Sequence, residues 1–198
     1  MRAVSARIAT LVTSRICHDL ISPVGAIGNG VELLQMSGAA PGDELSLIGD
    51  AGATASARLR LFRMAFGTAD PDQHSSVQEM RSMFGAPGVL GRTVGDWQVT
   101  GPAPRTETRL AVLAALCLET ALVRGGRVVV TRDGSNWQVT GTGPRLSVDD
   151  TLWEGLRGDP RAEVTPAQVQ FLLLPDFAAE AGRRVDYAQR EDALILTF

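Results

Sequence analysis

The chain has 198 residues, enough for one large domain or two small ones, and 44% of them are hydrophobic, so a core can be buried in either case. The formal net charge is −3 with acidic and basic residues mixed along the chain, which excludes the basic field that nucleic-acid binding requires. No apolar stretch reaches the roughly 18 to 20 residues of a membrane helix and the N-terminus lacks the apolar core of a signal peptide, so we expect a soluble, cytoplasmic protein that binds neither nucleic acid nor membrane.

The chain begins with a stretch whose apolar residues recur every three or four positions, which predicts a long helix from about Val4 to Met36. One side of this helix is expected to face the core and carries Val12, Ile16, Leu20, Ile27, Val31 and Leu34. The opposite side presents His18 among small or polar neighbours, namely Arg7, Ser14, Ser22, Gly25, Asn29 and Glu32. We therefore expect an imidazole that a partner can approach.

His18 is followed at once by Asp19, and such a pair is suited to phosphoryl transfer. One ring nitrogen of a histidine can be an unprotonated nucleophile near neutral pH while the other donates to an orienting group, for which Asp19 is the candidate. Pro23 lacks the backbone N–H that would bond the carbonyl of Asp19. The helix is therefore expected to bend just after the histidine.

The order His-Asp-Leu-Ile-Ser-Pro at 18–23, followed by Gly-Ala-Ile and Glu-Leu-Leu, resembles the phosphoacceptor box of two-component histidine kinases. The resemblance is carried by a histidine, an adjacent acid, a hydroxyl and a proline, which stand at His18, Asp19, Ser22 and Pro23. A lone histidine on a helix is usually a solvated or hydrogen-bonded side chain. In this context we interpret His18 as the residue that carries a phosphoryl group.

A second helix is predicted from Asp43, a residue suited to the N-cap. Its apolar positions recur at three- and four-residue steps and are Leu45, Ile48, Gly52, Ala55, Leu59, Phe62 and Phe66. The two helices are predicted to form an antiparallel hairpin over residues 1–68, turning at 37–42. Pairing with the hairpin of a second chain would bury the remaining apolar stripe, so we predict a homodimer built on a four-helix bundle with two His18 sites.

Residues 67–76 are polar, contain proline and lack periodicity, so we interpret them as a linker to a second domain at 76–198. The predicted elements there are a helix capped by Ser76 and Glu79 and running to Phe84, a strand at 97–100, a helix from Thr106 to Gly125-Gly126, a hairpin of 127–131 and 137–140, a helix at 164–181 and strands at 184–188 and 193–198. The predicted class is α+β, a helical hairpin followed by an α/β sandwich with helices on one face of a mixed sheet.

The two cysteines, Cys17 and Cys117, both fall inside apolar helical patterns. Neither belongs to a metal-ligand spacing. We therefore predict no metal site and two reduced thiols in or near the core.

The order of elements after the linker resembles the ATP-binding sandwich that follows the hairpin in a histidine kinase. Such domains use a helix asparagine for magnesium, yet the only asparagines here are Asn29 and Asn136, outside the helix that begins at Thr106. Gly141-Thr-Gly143 resembles a glycine box, but Val139 stands where the adenine-reading aspartate belongs, so we expect a turn instead. The segment at 165–174 has no glycine to wrap phosphates. We predict a degenerate ATPase-like fold with no tightly bound cofactor.

A kinase-like histidine helix joined to a degenerate ATP domain resembles the ChpT-like histidine phosphotransferases, a dimeric family of alphaproteobacteria. The resemblance implies a phosphorelay in cell-cycle control, in which phosphate passes from the receiver domain of a hybrid kinase to those of response regulators. It implies that His18 is the phosphoacceptor, that Asp19 is its acidic neighbour, and that Mg²⁺ comes from the partner receiver. Supporting or receiver-docking residues are expected among Arg15, Ser22, Pro23, Gly25 and Asn29, with Arg15 or Ser22 near the phosphoryl oxygens and Arg58, Arg60 and Arg63 as further docking candidates.

Two alternative functions stay open at the level of sequence. The first is an atypical ATP-dependent histidine kinase, which tight binding of Mg²⁺-ATP would support and the missing asparagine opposes. The second is a non-catalytic dimeric scaffold or inhibitor that binds kinases or receivers. Full biological activity in a His18→Ala protein would favour the scaffold.

Overall fold

The computed structural model describes residues 2–37, 43–158 and 163–198. The helices of these ranges are α1 (Arg2–Ser37), α2 (Asp43–Phe66), α3 (Val77–Phe84), α4 (Arg105–Ala121), α5 (Asp150–Glu154) and α6 (Gln170–Glu180). The strands are β1 (His74–Ser75), β2 (Thr93–Trp97), β3 (Ala103–Pro104), β4 (Gly126–Asp133), β5 (Asn136–Thr142), β6 (Asp186–Gln189) and β7 (Ala193–Thr197). Within the described ranges, no helix is long and apolar enough to cross a bilayer.

The strands form a five-stranded sheet of order β2-β4-β5-β7-β6, while β1 and β3 pair separately. The β2–β4 pair of this sheet is parallel and the other described pairs are antiparallel, so the sheet is mixed as predicted. The predicted hairpin of β4 with β5 and the predicted pairing of the last two strands are both confirmed. The α+β class, a helical hairpin followed by a sandwich, is confirmed with them.

The predicted strand at 97–100 is wrong, because β2 ends where that strand was expected to begin. The last register pair of β2 with β4 is Trp97 with Val130, and Gln98 N then donates to the Val130 carbonyl at 2.9 Å before the pairing ends. Side chains go on alternating between buried and exposed as far as Thr100. Alternation shows that a segment is extended, and only its hydrogen bonds show whether it belongs to a sheet.

The helical predictions are confirmed for α3 and α4 and need correction further on. The side chain of Ser76 accepts from the backbone N–H of Glu79 at 3.1 Å, as the capping box predicts. The single helix predicted at 164–181 is instead a 3₁₀ turn at Pro166–Gln168 followed by α6. The short helix α5 was not predicted from the sequence.

The glycines of Gly141-Thr-Gly143 do not form the turn expected from the sequence. Gly141 and Thr142 are the last two residues of β5. A Cβ atom on Gly141 would lie 3.2 Å from Leu118 Cδ2, so the glycine lets α4 pack close to the sheet. The glycine pattern therefore has a packing explanation.

α1 and α2 pack on each other as the predicted hairpin; of the predicted turn at 37–42, Ser37 is the last residue of α1 and the rest lies outside the described residues. Gly30 is buried at this contact, where a Cβ atom would come within 2.6 Å of Ile48 Cγ1. Leu45 and Leu59, two of the apolar positions of α2, are 50% and 51% exposed in the single chain. Val31, which is predicted on the core face of α1, is 41% exposed. The prediction for Val31 is wrong because the sandwich covers a neighbouring side of the hairpin.

One continuous core joins the hairpin to the sandwich. Ala57, Leu61 and Met64 of α2 belong to the same buried cluster as the apolar side of α4 and the inner face of the sheet. Val12 and other half-buried residues from the first half of α1 pack against that cluster. The part of α1 that carries His18 is thus held against the second half of the chain.

Candidate functional site

The predicted phosphoacceptor, His18, lies in the middle of α1, and its side chain is 85% exposed. Its Nδ1 atom lies 3.0 Å from Asp19 Oδ1. An ionised carboxylate can only accept a hydrogen bond, so this contact favours the neutral tautomer that has its proton on Nδ1 and its lone pair on Nε2. In that tautomer, Nε2 of the exposed ring would be free to act as a nucleophile.

Asp19 differs from its neighbour in being largely covered, and its carboxylate contacts more than the histidine. Arg15, one turn earlier on α1, places its Nε atom 2.8 Å from Asp19 Oδ2. Arg58 of α2 places Nη1 3.7 Å from the same oxygen. One carboxylate oxygen therefore faces two guanidinium groups while the other faces the imidazole.

Pro23 is buried in α1, which continues as a helix through it. Because proline has no N–H, the carbonyl of Asp19 has no helical donor four residues on. Arg58 fills this place, since its Nη1 donates to the Asp19 carbonyl at 3.2 Å and its Nε donates to the carbonyl of Gly88 at 3.0 Å. The proline thus leaves the Asp19 carbonyl free to accept the hydrogen bond from Arg58 that connects α2 to the segment of His18.

Arg15 is turned inward and is only 8% exposed. Its Nη1 donates to the carbonyl of Ala167 at 2.6 Å, and its Nη2 lies 3.4 Å from Glu119 Oε2 on α4. The sequence makes Arg15 a candidate to contact the phosphoryl oxygens. In this arrangement its guanidinium is committed to Asp19 and to the second half of the chain, and contact with a phosphoryl group would require it to leave these partners.

The other residues predicted to support the site share the accessible side of α1. Ser22, Gly25 and Asn29 are exposed, and nothing lies within 4 Å of the Cβ position of Gly25. Ser22 is one turn beyond His18, which is the distance at which helical side chains are neighbours. Of the two residues predicted to lie near the phosphoryl oxygens, Arg15 and Ser22, only Ser22 has an exposed side chain.

Cys17 is exposed, so its predicted place in or near the core is wrong, whereas Cys117 is buried as predicted. Burial raises the pKa of the Cys117 thiol well above its usual range. Cys17 belongs to the side of α1 that the single chain leaves uncovered. The described residues contain no group of three or more His, Cys, Asp or Glu side chains that could hold a metal ion.

Sequence reasoning missed two contributors to this site. Arg58 was noted only as a docking candidate, although it bonds the segment of His18 directly. Glu119 was not singled out, although an acid inside the apolar run Leu-Cys-Leu-Glu-Thr-Ala-Leu at 116–122 was a usable signal. Burying a charged side chain in such a run is energetically costly unless an oppositely charged or hydrogen-bonding group pairs with it. The partner, Arg15, is more than a hundred residues away along the chain, which no local pattern reveals.

Comparisons with known proteins identify the family to which the chain belongs. The histidine phosphotransferase C-terminal domain family matches residues 78–193. Protein phosphotransferase ChpT of Brucella abortus (strain 2308) is 55% identical over 62 residues, which are 31% of this chain and 29% of that relative's length. The 1.7 Å structure of a bacterial phosphotransferase has a TM-score of 0.79 and 28% identity, covering 97% of this chain and 95% of that one. The chain belongs to the histidine phosphotransferase family.

Proposed function

We propose that the protein is a histidine phosphotransferase that relays a phosphoryl group between receiver-domain aspartates through phosphorylated His18. The observation that carries the proposal is an imidazole 85% exposed whose Nδ1 atom is held 3.0 Å from Asp19 Oδ1. Family membership and the likeness to a bacterial phosphotransferase support it. In the proposed cytoplasmic relay, the donor is the receiver domain of a hybrid kinase and the acceptors are those of response regulators.

In the proposed reaction, Nε2 of His18 attacks the phosphorus of an aspartyl phosphate on a docked receiver. The N–P bond forms as the P–O bond to the receiver's aspartate breaks, and the carboxylate leaves with the electron pair. The imidazole gains positive charge during the step, and the Asp19 carboxylate beside Nδ1 stabilises that charge. A second receiver then removes the phosphoryl group by the reverse of this reaction.

The proposed step needs no cofactor bound to this chain. Phosphoryl transfer depends mainly on positioning the reacting groups and on neutralising charge. We propose that Mg²⁺ and most of the neutralising charge come from the acidic pocket of the receiver. This chain contributes the nucleophile, its orientation and the surface that docks the receiver.

We infer that the receiver docks on the hairpin beside His18. A cleft of about 390 Å³ lies between α1, α2 and the loop at 88–91, and its lining includes Ser22, Pro23, Ala26, Leu47, Ala51 and Thr54. Ser22 joins this cleft to the exposed side of α1 that carries His18. Of the three arginines considered for docking, Arg60 and Arg63 are exposed, whereas Arg58 is held by Asp19 and Gly88.

The proposal includes a homodimer, because the hairpin carries two accessible stripes of apolar and small residues. On α1 the stripe is Cys17, Ile21, Val24, Gly28 and Val31, and on α2 it is Leu45, Gly49, Gly52, Ser56 and Leu59. Both stripes repeat in steps of four and three residues, as in a coiled-coil seam. In each helix, every residue of the stripe comes one position after a residue that packs at the α1–α2 contact. Because the two helices are antiparallel, this shift turns both stripes to the same face of the hairpin. A second copy of this face would cover both.

A Val31→Glu change is expected to convert the dimer into a monomer, because it would place two carboxylates in the apolar centre of the bundle. Sedimentation velocity over a range of concentrations would measure the change. The matched control is Val94→Glu, since Val94 is also exposed but lies on β2. A wild-type chain that sediments as a monomer at all concentrations would contradict the proposed dimer.

The function itself is tested by mixing the purified protein with a receiver phosphorylated on aspartate, in the presence of Mg²⁺ and without ATP. Acid-labile, alkali-stable label should appear on the protein, because an N–P bond and not an acyl phosphate has formed. A second assay supplies labelled ATP and Mg²⁺ without a receiver, and label on the protein in that assay alone would indicate a kinase. Absence of label in both assays would indicate a scaffold.

A further inference from the structure

We propose that Arg58 and Glu119 are positioning residues for phosphoryl transfer at His18 and that both act through Asp19. The inference rests on the proposed function and extends it to the second half of the chain. No contact joins either side chain to the imidazole, and each belongs to a cluster made of Arg15, Asp19, Arg58 and Glu119, here named the clamp.

The His18–Asp19 contact needs support because adjacent residues on a helix do not face each other. An unrestrained Asp19 carboxylate on an exposed helix would turn to water in most of its rotamers. Arg15 draws it along the helix from one turn before, with Nε 2.8 Å from Oδ2. Arg58 approaches the same oxygen from α2, with Nη1 at 3.7 Å. With Oδ2 engaged in this way, Oδ1 is left directed to Nδ1 of His18.

Arg58 is suited to this role by the fixed geometry of its guanidinium. One edge donates to the carbonyl of Gly88, in the loop before β2, and Nη1 donates to the Asp19 carbonyl that Pro23 leaves without a helical donor. Because the fork is planar and rigid, both ends of this bridge are fixed together. Arg58 therefore sets the backbone of Asp19 as well as its carboxylate.

Glu119 acts one contact further away. Two arginines meet the single carboxylate of Asp19, and Glu119 brings a second negative charge, 3.4 Å from Arg15 Nη2, which makes the clamp neutral. The carbonyl of Ala167 accepts from the same guanidinium at 2.6 Å. Arg15 is thus anchored to α4 and to the turn before α6. The second half of the chain holds the orienting carboxylate without touching the phosphoryl group.

The test compares phosphoryl acceptance from a phosphorylated receiver in Arg58→Met, Arg58→Lys and Glu119→Gln proteins. We expect the Arg58→Met rate to fall about 10- to 100-fold, at or below the lower end of the roughly 10²- to 10⁴-fold that proton-handling groups contribute, because Arg58 acts through Asp19. Arg58→Lys, which keeps the charge and loses the fork, should lie between Arg58→Met and wild type. Glu119→Gln should fall about 10-fold. The control Arg190→Met removes an exposed arginine from the loop before β7 and should change the rate less than twofold.

The second readout is the ¹⁵N spectrum of the imidazoles, which a purely structural role would not change. The chain has two histidines, so His74 serves as an internal reference. In wild type, His18 should show a protonated Nδ1 and an unprotonated Nε2; in Arg58→Met and Glu119→Gln it should show averaged tautomers, with the His74 signals unchanged. Circular dichroism would confirm that each variant is folded, and the two conservative variants carry the test if Arg58→Met is not.

The outcomes separate this inference from the function on which it rests. Folded Arg58 and Glu119 variants that accept phosphate at the wild-type rate, with an unchanged His18 spectrum, overturn the positioning role and leave the phosphotransferase intact. A wild-type chain that accepts no phosphate from any receiver overturns the function and the positioning role together. Slower transfer with an unchanged tautomer also contradicts the inference, because it would mean that these residues act through receiver docking.

Discussion

A His18→Gln protein is expected to accept no phosphate from a phosphorylated receiver, leaving acid-labile label at the background of the assay. Glutamine has a similar length and can still bond to Asp19, but it has no nucleophilic nitrogen. Loss of a catalytic nucleophile can lower a rate by on the order of 10⁶-fold, which makes this the largest expected effect. Rapid-mixing experiments with labelled receiver would measure it.

The matched control for this prediction is His74→Gln, which removes the other histidine of the chain. His74 is exposed in β1, and within the described residues it belongs to no group of His, Cys, Asp and Glu side chains that could hold a metal ion. Its replacement should leave transfer unchanged. Label that persists in His18→Gln and disappears in His74→Gln would show that His74, and not His18, accepts the phosphoryl group.

A Leu61→Ala protein is expected to be about 2 to 5 kcal/mol less stable than wild type. Leu61 is fully buried in the cluster shared by α2, α4 and the sheet. Its truncation removes apolar contacts and leaves a cavity where the hairpin meets the sandwich. Urea unfolding followed by circular dichroism at one fixed protein concentration would measure the loss in the free energy of unfolding.

Leu33→Ala makes the same chemical change at an exposed position of α1, outside the proposed dimer face. It should alter the free energy of unfolding by no more than about 0.5 kcal/mol. Equal destabilisation by the two changes would contradict the assignment of Leu61 to the core. If only Leu61→Ala loses stability, we also expect that variant to accept phosphate more slowly, because the clamp spans the same contact between the hairpin and the sandwich.

Local patterns were sufficient to predict the elements that local forces define. The helical period of α1 and α2, the capping serine at Ser76 and the turn between β4 and β5 are all properties of short segments. The His18–Asp19 pair is likewise a local feature, and its contact follows the sequence-based expectation.

The errors occur where contacts between distant segments decide the structure. The end of β2 depends on where β4 stops pairing with it, and the exposure of Val31 depends on which side of the hairpin the sandwich covers. The clamp joins Arg15 to Glu119, a separation that no window of sequence contains. Periodicity indicates which side of a helix or strand is apolar, but not which part of the protein covers that side.

The loop at 88–91 limits how far the two halves of such a protein can be exchanged between relatives. Gly88 and Gly91 have left-handed φ angles of 71° and 59°, and a Cβ atom on Gly91 would lie 2.9 Å from Glu119 Oε1. A chimaera that joined this hairpin to a relative's sandwich would meet Arg58 with a different loop and Arg15 with a different helix. We expect such hybrids to fold yet orient their histidine poorly unless the glycines and the acid are transplanted with the arginines, and we expect these positions to covary among homologues.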